Sequence, residues 1–152
     1  MSLLVSINVN SSPLREVLDR LLAVTDDLSP VMSAIGMEME NRVRARFETQ
    51  SDPLGVAWAP WRPATVKTYP KDGNRRLLDR FGDLLGGASH QFDSHSVTIG
   101  FNQEYAAYHE FGTRKMVSRG LLFANPDAGT LGPDDEQSII DVVIDVLKRA
   151  ID

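Results

Sequence analysis

Leu3, Val5, Ile7 and Val9 alternate with Leu4, Ser6 and Asn8, and a period of two predicts a half-buried strand over 3–9. Asn10-Ser-Ser-Pro13 stops it. Ser12 suits a cap, Pro13 the first helical position, and Glu16 the carboxylate position of a capping box. Leu14, Val17, Leu18, Leu21 and Leu22 then follow at i, i+3, i+4, i+7 and i+8, the stripe of an amphipathic helix. Asp26-Asp-Leu-Ser-Pro30 breaks that helix, and Ser29 with Pro30 repeats the start signal. A second helix is expected from there to about Thr49, with Met32 or Ile35, Met39, Val43 and Phe47 facing inward. Its other side carries Glu38, Glu40, Arg42, Arg44, Arg46 and Glu48. These are expected as a solvated surface whose ion pairs contribute little individually.

The pattern then changes. Residues 50–76 are rich in proline and glycine and hold both tryptophans, Trp58 and Trp61. A flexible loop is expected, with its indoles packed in the core or against a neighbour. Residues 63–67 fit one helical turn, and the basic run Lys67, Lys71, Arg75 and Arg76 reads as a surface loop or as a contact for phosphate or an acidic partner. Leu77, Leu78, Phe81, Leu84 and Leu85 suggest a short apolar helix before Gly86 and Gly87. Strands are expected at about 88–92 and 96–101, joined by the turn residues Asp93, Ser94 and His95. Tyr105, Tyr108 and Phe111 recur at i, i+3 and i+6 on a helical turn that Gly112 ends. The three are expected to be at least half buried, with His109 and Arg114 at or near a subunit contact. Leu121-Leu-Phe123 reads as one more strand. A closing helix is predicted over 133–151, acidic in its first turn and basic in its last, as the helix dipole favours. Its isoleucines, valines and leucine cover more than one face, so it needs cover on two sides. Together these elements predict an α+β fold, a small antiparallel sheet packed by two long helices and an apolar C-terminal helix.

Composition adds limits. The chain has 152 residues, 42% of them hydrophobic and 24% charged, which fits one soluble domain of ordinary balance. No cysteine is present, so disulfides, thiolate nucleophiles and cysteine-held metals are excluded. No signal peptide or bilayer-spanning run is read, and synthesis in the cytoplasm with no membrane partner is expected. A net charge of -5 disfavours general nucleic-acid wrapping. The charges are also split, basic in the middle and acidic toward the end, which would let copies pair head to tail. Of catalytic patterns, His90, His95 and His109 lack zinc-binding spacing, and no phosphate loop or nucleophile elbow occurs. No cofactor is expected. His109-Glu110 is the one acid–base pair on offer, and adjacent residues of this kind more often lie at a surface.

Four pieces in order resemble the phage virion morphogenesis family, the tail-completion and neck proteins of Mu- and P2-like tailed bacteriophages. Gly55-Val-Ala-Trp-Ala-Pro-Trp-Arg-Pro-Ala-Thr65 is similar to the family's tryptophan–proline segment, and Leu77-Leu-Asp-Arg-Phe-Gly-Asp-Leu84 to its leucine, then Thr-Gly-x-Leu, segment. Val97-Thr-Ile-Gly100 with Tyr105-Ala-Ala-Tyr-His-Glu-Phe-Gly112 is similar to its most specific motif, and Arg119-Gly-Leu-Leu-Phe-Ala124 to its late strand. Phe81 stands where threonine is usual, and Ala124 where glycine is. The resemblance covers roughly 30–151, with 3–24 as a strand–helix extension particular to this branch. It implies a non-enzymatic virion protein, made in the host cytoplasm, that completes the neck or the top of the tail. Its partners would be itself, as a ring and commonly a hexamer, and other neck, tail-terminator or connector proteins. DNA would pass through the ring without specific binding. On this reading Trp58, Trp61, Arg75, Arg76, His109, Arg114 and Arg119 are candidate interface residues, and Gly100, Tyr105, Tyr108, Phe111 and Gly112 shape the motif. Two rival readings are a nucleic-acid-binding module using the basic 62–80 segment and an assembly hydrolase built on His109 and Glu110.

Overall fold

The computed structural model describes residues 3–6, 16, 19–20, 27–68, 77–79 and 82–151. Most of the helix expected from Pro13, and the basic run with Arg75 and Arg76, lie outside the described residues. Within them the α+β expectation holds. Three strands, β1 (Leu3–Ser6), β2 (Ala88–Phe92) and β3 (Val97–Phe101), form an antiparallel sheet in the order β1-β3-β2. Ile99 sits at its centre, opposite Val5 on one side and His90 on the other. The β2–β3 turn closes because the Asp93 carboxylate accepts the amides of His95 at 2.8 Å and Ser96 at 2.7 Å.

The helix α1 (Ser29–Thr49) runs across β2 and β3 and packs along the terminal helix. Its start signal is shared differently from the expectation. Asp27, not Ser29, supplies the capping oxygen, accepting the Ser29 amide at 2.9 Å and its hydroxyl at 2.5 Å. The predicted stripe is buried throughout, from Met32 and Ile35 to Val43 and Phe47. Gly36 falls on the same face, and a side chain there would collide with the His90 ring. That imidazole crosses the helix and meets Glu40, Nδ1 to Oε2 at 2.5 Å. A helix glycine costs about 1 kcal/mol against alanine, and here it makes room for the sheet.

Three short helices follow: α2 (Pro63–Thr68), α3 (Asp83–Gly86) and α4 (Ala106–Phe111). Of the apolar helix expected around 77–85, the described residues hold the single turn of α3, and Phe81 lies outside them. The long helix α5 (Pro133–Ile151) closes the chain at the predicted bounds. It buries Ile139 and Val143 against α1, while Ile140, Val142, Val146 and Leu147 are only partly covered.

The charged face of α1 is not all solvated. Arg42 and Arg46, four residues apart and so on one side of the helix, both reach the buried carboxylate of Asp135 on α5. Arg42 Nε lies 2.7 Å from Oδ1, and Arg46 bonds Oδ2 while giving a second bond of 2.6 Å to the Leu121 carbonyl. Asp135, in the first turn that was expected to be acidic, joins the two long helices, and Arg46 extends the link to the 121–123 segment.

Candidate functional site

On an α-helix successive residues turn by about 100°. Ala106 and Glu110 therefore share one face of α4, and the mean direction of Tyr105, Tyr108 and Phe111 points almost opposite. The protein buries the Ala106–Glu110 face. Tyr105 keeps 38% of its surface exposed, Tyr108 54% and Phe111 49%. The expectation of half burial thus fails for Tyr108 and is met only narrowly by Phe111. The aromatic row does not plug the core. It stands in solvent, with Val117 beside it in chain order and 48% exposed.

What holds the row in place is Glu110. Its fully buried carboxylate accepts three consecutive amides: Leu121 and Leu122 on Oε2 at 2.7 and 3.0 Å, and Phe123 on Oε1 at 2.9 Å. Residues 121–123 were expected to be a strand, and their amides bond to this carboxylate instead of a sheet partner. Burial pushes the Glu110 carboxyl above its ordinary range, against the pull of the three amides and of Arg46. Gly112 closes α4 with φ +74° and ψ 172°, a conformation close to glycine-only. A side chain there would press on Ser118 and the Met116 carbonyl. The turn is thus pinned at both ends of its inner face.

Glu110 cannot serve His109 as an acid–base partner from this position, since both its oxygens are taken by backbone amides on another side of the helix. His109 faces Tyr105 edge-on, ring centroids 6.1 Å apart. Burial, with Arg119 as the second cause, lowers its pKa to about 4, so the ring is neutral near pH 7. Its Nδ1 is buried without a hydrogen-bond partner among the described residues. His109 and Tyr105 form one wall of an open cleft of about 520 Å³. Trp61, Leu84 and Met116 supply apolar lining, and among the described residues Arg62, Lys115 and Arg119 line it together with the carboxylate of Asp83.

The other candidates separate. Trp58 is buried in the protomer's own core, edge-on to Phe47 at 5.6 Å, and its Nε1 donates to the Gly120 carbonyl at 3.0 Å. Arg119 reaches back to the same loop, donating to the carbonyls of Ala59 at 2.8 Å and Pro60 at 3.0 Å. Residues 58–60 of the loop are thus bonded to the 119–120 segment. Arg114 is exposed, next to the aromatic row in chain order, and Gly100 is buried in β3. The structure brings Trp61, Tyr105, His109 and Arg119 together around one cleft. Sequence reasoning missed Glu110 as an anchor and the Arg42–Arg46–Asp135 cluster. The available signals were the four-residue spacings of Ala106 with Glu110 and of Arg42 with Arg46.

Among the described residues no group of side chains could hold a metal ion, and no helix is long and apolar enough to cross a membrane. The sequence matches the phage virion morphogenesis family over residues 9–148, a span that includes residues 9–24 of the N-terminal segment. It is 26% identical over 142 residues to the Mu-like prophage FluMu G protein 2 of Haemophilus influenzae, covering 93% of this chain and 94% of that protein. No solved structure matches. With a match across most of its length, the chain belongs to the phage virion morphogenesis family.

Proposed function

We propose that this protein is a non-enzymatic component of the head–tail junction, completing the neck or the top of the tail as a homo-oligomeric ring around the DNA channel. Six copies are the expected number. The observation that carries the reading is the aromatic row of α4. Tyr105, Tyr108 and Phe111 stand about half exposed on a turn whose inner face is locked by Glu110. Large apolar side chains exposed on a turn whose backbone is fixed are what a subunit contact uses, because the row can be covered without reordering the chain that presents it. The net charge of -5 suits a channel that DNA crosses without adhering. The neighbours would be connector, tail-terminator or other neck proteins, and the place of work the virion.

The test is genetic. In a phage that carries this gene, its disruption should leave filled heads and finished tails unjoined in electron micrographs of the lysate. Supplying the wild-type chain should restore joined, infectious particles. Normal yields of joined particles from the disrupted phage would contradict the proposal.

A further inference from the structure

We propose that the cleft between α4 and the 115–119 segment receives the α5 flank of a second copy of this chain, a contact that rests on the ring reading above. The occupant is chosen by complementarity in two respects. Among the described residues the cleft is apolar inside, with Trp61, Leu84 and Met116, and its rim carries Arg62 and Lys115, with Arg119 and Asp83 also in the lining. The α5 flank offers isoleucines edged by aspartates, with Lys148 one turn beyond Ile144 and Arg149 next to it. Ile140 and Ile144 lie four residues apart, Ile144 39% exposed, and each is followed by an exposed aspartate, Asp141 and Asp145. Asp145 holds Arg149 at 2.9 Å, while among the described residues Asp141 accepts the neutral Gln137 amide at 2.9 Å, which leaves its charge uncompensated by that contact.

One copy's isoleucines would enter the cleft while Asp141 approached Lys115 at the rim. Because the two surfaces come from different parts of the chain, the contact is head to tail. Repeated with a closing rotation, such a contact gives a ring rather than a two-fold dimer. It also uses the second apolar side of α5, which the protomer itself leaves partly uncovered.

The chain contains no cysteine, so single cysteines can be placed without background. Lys115→Cys and Asp141→Cys both sit at exposed positions, and unchanged circular dichroism and melting would confirm that each variant folds. Under mild oxidation an equimolar mixture of the two should give a disulfide-linked pair at least tenfold above either variant alone. A chain carrying both cysteines should give a ladder that stops at the ring number. The proposal is overturned if the mixture cross-links no more than the separate variants, or if Lys115→Cys pairs best with itself. Those failures would leave the head–tail joining phenotype untouched. Conversely, a cross-linked ring from a gene whose loss leaves joined particles would retain the interface and discard the neck assignment.

Discussion

Replacing Glu110 by glutamine keeps the shape of the side chain and removes half of its acceptor capacity. Glutamine offers one oxygen, which would stay with the two amides that share Oε2, Leu121 and Leu122. Its amide nitrogen would then face the Phe123 N–H, donor against donor. The change loses one bond to a charged acceptor, about 1.5–3 kcal/mol, and leaves a largely buried amide unsatisfied, about 1–3 kcal/mol. Removing the buried charge also relieves its desolvation, so the expected net loss is about 2–4 kcal/mol rather than the full sum. For a chain of this length that corresponds to a fall in melting temperature of roughly 5–15 °C. Urea unfolding of the Glu110→Gln variant at pH 7, followed by circular dichroism, measures it directly. A loss below about 0.5 kcal/mol would refute the view that Glu110 anchors the 121–123 segment.

Three other outcomes are expected. His109 is held neutral, its pKa lowered to about 4 from an unfolded value near 6.5. The unfolded chain therefore binds the extra proton, and stability falls as pH drops from about 6.5 toward 4, by at most about 1.4 kcal/mol per unit and less after screening at the partly exposed ring. Denaturation midpoints across that range should fall more steeply for the wild type than for His109→Gln, and equal slopes would contradict the placement. Asp135→Ala strands the buried Arg46 and should cost about 3–5 kcal/mol in urea unfolding, much of it recovered when Arg46 and Asp135 both become leucine. Tyr108→Ser with Phe111→Ser should move stability by less than about 1 kcal/mol yet reduce the yield of joined particles at least tenfold. Full joining by that double variant would count against the aromatic row as a contact.

The long elements were legible because their signals are periodic and local. The stripe from Met32 to Phe47, the bounds of α5 and the hairpin around Asp93 all follow from spacing and turn chemistry. What escaped was the polar interior. Arg46 and Asp135 read as surface charges because neither position announces the partner 89 residues away. In the 105–112 motif the aromatics drew the attention, yet a six-residue helix can bury only one narrow face. The Glu110 carboxylate won that face because three backbone amides of a strandless segment required an acceptor. Leu121 to Phe123 looked like a strand for the related reason that apolar runs do not reveal where their amides will bond. Trp58 and Trp61 could not be told apart by composition, and only the fold shows one in the core and the other lining a cleft.

The most direct measurement is the position and copy number of this protein in purified virions, by cryo-electron microscopy of the head–tail junction. A closed ring of copies at the neck or the top of the tail, with α4 and the 114–119 segment at the contact between neighbours, is the predicted result. Virions that lack the protein, or that carry it only along the tail shaft or within the head, would contradict it.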